Sequence, residues 1–212
     1  MFKSWQWALG PRVDVVPVEI ANRQRFATLG ELVDEGERQL RPQLDGRYAL
    51  FGHSFGALVA YRMACVRAEA KSVLPRALLL SSCAPPHLPP PVPSVEHLDN
   101  EQLARLLSDL GGLPPELTQW PALRDTALDA ARVDLRLCMT DDDVGDVALP
   151  CPIHVFGGRD DPLVSESDLS EWRSRTSGHF AEHVLDGDHF YLTHEPKLFA
   201  TLRPVLAALM VR

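Results

Sequence analysis

A single α/β domain spanning residues 1–212, with a mostly parallel sheet and a helical insertion at 85–149, is predicted from three features of the sequence. Short apolar, β-branched runs alternate with longer amphipathic segments, the pattern of consecutive strand–helix units. That alternation stops at a proline-rich stretch and resumes some sixty residues later. The chain is 45% hydrophobic and 24% charged with a mean hydropathy of -0.09, too apolar for disorder, yet no uninterrupted apolar run reaches membrane-spanning length. A chain of 212 residues suits one domain of ordinary size.

Val13 to Val18 reads as the first strand. Leu29, Leu32, Val33 and Leu40 recur at helical spacing, predicting a helix from Thr28 to Arg41 that Pro42 ends. Tyr48 to Phe51 is a short apolar strand closed by Gly52, and Phe55 to Ala70 follows as an alanine-rich helix. Ala77 to Leu80, Ile153 to Phe156 and Phe180 to Leu185 are further strands, with a polar helix from about Ser165 to Thr176 between the last two. A closing helix from Pro196 is expected to bend at Pro204.

The insertion opens with six prolines in the nine residues Pro85 to Pro93, a stiff extended linker. Asp99 and Gln102 then form a capping box for a helix carrying Leu103, Leu106, Leu107 and Leu110 on one face and stopped by Gly111-Gly112. A second helix is expected over Pro115 to Leu137. Long connections that carry their own helices are usually functional, so the segment reads as a lid over a site. The acidic run Asp141-Asp142-Asp143 reads as a solvated loop.

With 21 Lys and Arg against 29 Asp and Glu the net charge is -8, which excludes the electrostatic footprint of a nucleic-acid binder. Cys65, Cys83, Cys138 and Cys151 have no paired spacing, so neither a disulfide framework nor a zinc site is expected, and the eight histidines show no metal-ligand spacing either. Met1 to Gly10 lacks the basic start, apolar centre and small-residue cleavage site of an export signal, so a cytoplasmic protein without membrane attachment is expected.

Gly52-His53-Ser54-Phe55-Gly56 fits Gly-X-Ser-X-Gly, and it follows a strand directly and opens a helix, the setting of a nucleophile elbow. The helix start brings partial positive charge, and the Phe55 backbone N–H points where an oxyanion would form. A serine hydroxyl needs a base and an acid to orient that base. The acid is Asp160 or Asp161, in a turn at the carboxyl end of a strand; Asp161 is favoured because Pro162 restricts its backbone. The base is His189, in a glycine-containing loop after the last predicted strand, with His194 as the rival. His154 reads as a packed strand residue, His179 and His183 flank or occupy the last strand, His87 and His97 fall in the lid, and His53 points away from the serine.

On these residues the chain resembles the type II thioesterases that accompany polyketide and nonribosomal peptide synthetases. The resemblance rests on Trp5 to Val18, the Tyr48 to Ser54 elbow, Ala84-Pro85-Pro86-His87-Leu88-Pro89, Leu110-Gly111-Gly112-Leu113-Pro114-Pro115-Glu116 and Gly187-Asp188-His189-Phe190-Tyr191-Leu192. It implies an α/β-hydrolase fold, Ser54, Asp161 and His189 at the triad positions, and hydrolysis of stalled or misloaded acyl groups from phosphopantetheine arms. The partners would be acyl or peptidyl carrier proteins, with no cofactor or metal, and the expected state is a monomer. Family members also carry an additional strand, followed by a loop of the Pro-His-Ala-Gly-Gly type that gives the second oxyanion N–H. In this sequence the fold is therefore expected to be N-terminally shortened, with an unfilled position between the strands at Val13 to Val18 and Tyr48 to Phe51. Two other readings stay open: a general small-ester esterase, and a carrier-binding module with little or no catalysis. Carrier proteins are acidic like this chain, so docking would depend on local patches, with Arg105, Arg132 and Arg136 as candidates.

Overall fold

The computed structural model describes residues 2–92, 94–113, 117, 119–141, 147–193 and 195–211. Among these, four strands, β1 (Leu50–His53), β2 (Leu78–Ser81), β3 (Ile153–Gly158) and β4 (Phe180–Leu185), form one parallel sheet in the order β1-β2-β3-β4. Leu50 pairs with Leu78, Leu78 with Ile153 and Ile153 with Phe180, so the strands start level across the sheet. The ladder begins two residues later than the apolar run at Tyr48, because the Leu50 N–H is the first to reach across, to the Ala77 carbonyl. The Tyr48 carbonyl instead accepts from the Arg76 N–H.

Parallel strands covered on both faces must be apolar on both. Leu78, Leu80, Ile153 and Val155 pack on one side with Ala57 and Tyr61 of α3 (Phe55–Glu69) and with Leu169 of α6 (Glu166–Ser170). Leu79 and Phe156 face the other way, onto Trp5 of α1 (Trp5–Leu9) and Leu198, Phe199 and Leu202 of α7 (Glu195–Val211). Pro204 lies inside α7, and His194 falls outside the described residues.

The sequence expectation fails at Val13 to Val18, which forms no strand. The Val15 N–H donates to the side-chain carbonyl of Gln6, whose amide donates to the Val13 carbonyl, so this stretch bonds to α1 rather than to a sheet. β-branched residues make a strand only where a neighbouring edge accepts them. Val16 and Val18 are exposed instead, at 45% and 47%. The two segments flanking the expected unfilled position therefore do not close up into a ladder. A cavity of about 1540 Å³ is lined by residues of both stretches, Val13 to Ile20 and Leu50 to His53.

Helix α2 (Leu29–Leu44) runs past Pro42, which sits in its last turn. The proline forgoes one backbone bond there, but Leu44 is buried and its carbonyl accepts from the Arg67 guanidinium, which holds the turn. Between β2 and β3 lie α4 (Asn100–Asp109), with the expected Asp99–Gln102 capping box, and α5 (Pro121–Cys138). Helix α5 starts at Pro121, a proline at the first helical position, where its missing N–H loses no intrahelical bond. Residues 114–116 and 142–146 are outside the described set, so the expected start of this helix and most of the acidic run are too. Val92, Val95, Leu103, Leu113 and Leu128 form a separate apolar cluster under the two helices. The polar helix expected to reach Thr176 is α-helical only as α6 and tightens to a 3₁₀ turn over Glu171–Arg175. There Trp172 turns inward and donates to the Cys83 carbonyl.

Candidate active site

Ser54 sits between β1 and α3 with φ 52 and ψ -121, a conformation non-glycine residues rarely take. The turn is possible because position 52 is glycine: a Cβ there would lie 2.1 Å from the Gly56 carbonyl oxygen. Phe55 opens α3, where backbone N–H groups have no intrahelical acceptor and the helix dipole favours negative charge.

The structure brings the three predicted side chains together. His189 Nε2 lies 3.0 Å from Ser54 Oγ, and His189 Nδ1 lies 2.9 Å from Asp161 Oδ2. The His189 and Asp161 side chains are only 4% and 0% exposed, so water does not compete for these bonds. Asp161 Oδ1 also accepts from the Leu163 and Val164 N–H groups at 2.9 and 3.2 Å. Burial alone would raise the Asp161 carboxyl. The bond from His189 and its charge, with the Leu163 N–H and Ser82, outweigh burial and hold the carboxyl below its ordinary value. Asp160, the alternative acid, is exposed to solvent.

The Asp161 turn and the His189 loop meet because β3 ends in glycine. A Cβ on Gly158 would lie 2.2 Å from the Asp188 carbonyl oxygen. Parallel β3 and β4 end side by side, so the two loops that leave them share one rim of the sheet.

Sequence reasoning missed two supports. Ser82 donates from Oγ to the His189 carbonyl at 3.3 Å, and its hydroxyl is among the groups that hold the Asp161 carboxyl below its ordinary value. Ser81 Oγ lies 2.7 Å from the Tyr191 hydroxyl and 2.9 Å from His53 Nδ1. Their signal was the pair of buried serines at and just past the end of the otherwise apolar β2, since buried hydroxyls need partners. His53 faces the His189 ring at 5.1 Å between centroids, and burial first, then the His189 charge, pushes its pKa down to about 3. His154 is buried, with Nδ1 3.2 Å from His183 Nε2, while His87 bonds Arg175 and His97 is exposed.

The cavity reaches from this rim between α3 and α5, where Phe55, Val59, Ala131, Leu135 and Cys138 give it apolar walls. All three arginines proposed for docking donate within the chain: Arg132 to the Val95 carbonyl, Arg136 to the Phe26 carbonyl and Arg105, from Nε, to the Glu101 carbonyl. Arg105 is exposed. Among the described residues, no group of three His, Cys, Asp or Glu side chains is placed to hold a metal ion, and no helix is long and apolar enough to cross a membrane.

Comparison with known proteins agrees with this chemistry. RedJ, a thioesterase from the prodiginine pathway of Streptomyces coelicolor, superposes with a TM-score of 0.86 at 34% identity, covering 96% of this chain and 84% of that one. The medium-chain S-acyl fatty acid synthase thioesterase of Rattus norvegicus is 30% identical over 209 residues, 90% of this chain and 76% of its own. A Brevibacillus parabrevis protein named linear gramicidin dehydrogenase LgrE is 29% identical across 100% of this chain and 84% of its own. Its name describes a different reaction, and no Gly-X-Gly-X-X-Gly dinucleotide fingerprint occurs in the present sequence. The thioesterase domain family matches residues 1–206. A match that takes in the serine, the carboxylate and the imidazole alike, and nearly all of the chain around them, means that this protein belongs to the thioesterase family.

Proposed function

We propose that Ser54, His189 and Asp161 are the catalytic triad of a thioester hydrolase that releases acyl or peptidyl groups from the phosphopantetheine arms of carrier proteins in polyketide and nonribosomal peptide synthesis. The observation that carries the reading is the 3.0 Å approach of His189 Nε2 to Ser54 Oγ, with Asp161 2.9 Å behind the same ring. His189 takes the Ser54 proton as Oγ attacks the thioester carbonyl, and the Phe55 N–H donates to the oxyanion that forms. The thiol of the arm leaves with that proton, and the acyl group stays on Ser54. His189 then takes a proton from water, which attacks the acyl-enzyme carbonyl, and the acid departs as the proton returns to Ser54. Asp161 keeps the imidazole in one tautomer and balances its transient positive charge.

In this reading the 85–149 segment is the lid. Its helix α5 walls the acyl chamber against α3, and the carrier protein docks beside it. An acyl-carrier hydrolysis assay tests the proposal, with Ser54→Ala expected to lower turnover about 10⁵-fold and to abolish labelling by a serine-directed fluorophosphonate. Retained turnover in Ser54→Ala would overturn the mechanism. Faster cleavage of simple oxygen esters than of carrier thioesters would favour a general esterase.

A further inference from the structure

Helix α4 runs into the Gly111-Gly112 turn, and only one of these glycines is explained by the helix end. The Gly111 N–H donates to the Ser108 carbonyl at 3.0 Å and the Gly112 N–H to the Leu107 carbonyl at 2.7 Å, which closes the helix with Gly111 at φ 74. Gly111 is thus required by its own backbone. Gly112 is not among the glycines with positive φ, and its reason lies in a neighbouring loop. A Cβ on Gly112 would come within 2.9 Å of Phe190 Cε2 and 3.1 Å of Phe190 Cζ, and one on Gly111 within 3.0 Å of Asp188 Oδ2. The turn therefore touches both chain neighbours of His189.

Those neighbours are tied to each other and to the base. Asp188 Oδ1 accepts from the Phe190 N–H at 2.8 Å, a short loop with His189 at its middle. The Phe190 ring stands edge-to-face with the His189 imidazole, 5.1 Å between centroids, and its centroid is 5.5 Å from that of the His53 ring. With those two rings against it, the Phe190 ring has little room to swing away from the turn. We propose that this contact seats the lid on the catalytic loop, with Gly112 and Phe190 as positioning residues that hold His189 in reach of Ser54. Lifting the turn frees Phe190 and lets the imidazole drift from its 3.0 Å approach to Ser54 Oγ, so the base is in place only when the lid is down. A displacement of about 1 Å in a reacting group costs about 100-fold in rate. The inference rests on the triad reading of the site, not on which group leaves the substrate.

Turnover and labelling together test the contact. On the N-acetylcysteamine thioester of octanoic acid, Gly112→Ala should lower kcat about 10-fold or more and move KM by less than about twofold, because the base shifts while substrate binding is kept. Leucine has no atom at the Cε2 or Cζ position, so in Phe190→Leu the added methyl group meets open space. Phe190→Leu alone should lose about 10-fold in kcat through the unsupported imidazole, and adding Gly112→Ala to it should cost less than about twofold more. Labelling of Ser54 by a serine-directed fluorophosphonate, which also needs the base, should follow the same pattern. Equal losses from Gly112→Ala in both backgrounds would overturn the proposal, as would a raised KM at unchanged kcat. Full turnover and labelling in Phe190→Leu would overturn it even where Gly112→Ala fails to fold. Labelling that follows the pattern in a protein that cleaves no thioester would support the contact and count against the thioester reading.

Discussion

The two halves of the sheet differ in what holds them. β3 pairs on both sides, with β2 and β4, and the loops leaving β3 and β4 carry Asp161 and His189. β1 pairs with β2 alone among the described residues, and the cavity runs past it. β4 is the other edge of the sheet, so the acid follows an interior strand and the base an edge strand held to it over six paired positions, while Ser54 follows β1, which pairs over four positions and borders the cavity on its open side. A strained turn at that edge depends on α3 packing over it, and Gly52 is what lets the helix approach.

Of the effects that bear on this contrast, the largest tests whether the β3 turn sets the chemistry through one carboxylate. Asp161→Asn should lower turnover about 10⁴-fold, the cost of presenting the wrong imidazole tautomer. Asp160→Asn should leave turnover within about twofold, because that side chain is exposed. Steady-state kinetics on one acyl-carrier substrate reads both. Similar losses in the two variants would mean that the turn acts as a unit rather than through one carboxylate.

The same contrast marks what the sequence made legible. β3 was readable because burial on both faces makes a parallel strand apolar, and the glycines that end it and the aspartates after it stand out against that run. The Asp99–Gln102 cap was readable for a local reason, since both partners lie within one turn. Val13 to Val18 carries the same β-branched signal and is no strand, because a ladder needs an edge to pair with and composition does not supply one. Pro42 was misread as a stop because its cost is local, whereas the burial of Leu44 and its bond from Arg67 come from tertiary packing. Ser81 and Ser82 were missed for a similar reason: their partners, Tyr191 and His189, lie more than a hundred residues away.

A smaller effect concerns acid. His154 of β3 packs against His183 of β4, and its pKa is pushed from 6.5 down to about 4 by burial first and then by the neighbouring histidine charges. The unfolded chain therefore binds more protons between those two values, and stability falls as the pH drops through 6.5 towards 4. Asp134 works the other way, because a carboxyl raised to about 6 takes up its proton earlier in the folded state. His154→Phe isolates the first contribution. Between pH 6.5 and 5 this variant should lose about 2 kcal/mol less stability than the parent chain in urea unfolding. Parallel loss in both proteins would mean that His154 reaches water more readily than its packing indicates.

The smallest expected effect addresses the weak half directly. Val155, at the centre of β3, is fully buried, and truncating it to alanine should cost about 2 kcal/mol in urea unfolding. Val16→Lys should change stability by less than about 0.5 kcal/mol, because that side chain is 45% exposed and its segment has no ladder to lose. A cost for Val16→Lys comparable to that of Val155→Ala would mean that the segment is held in solution by a strand pairing absent from this fold. β1 would then have a partner on its open edge, Ser54 would be supported from both sides, and the contrast between the two halves would disappear.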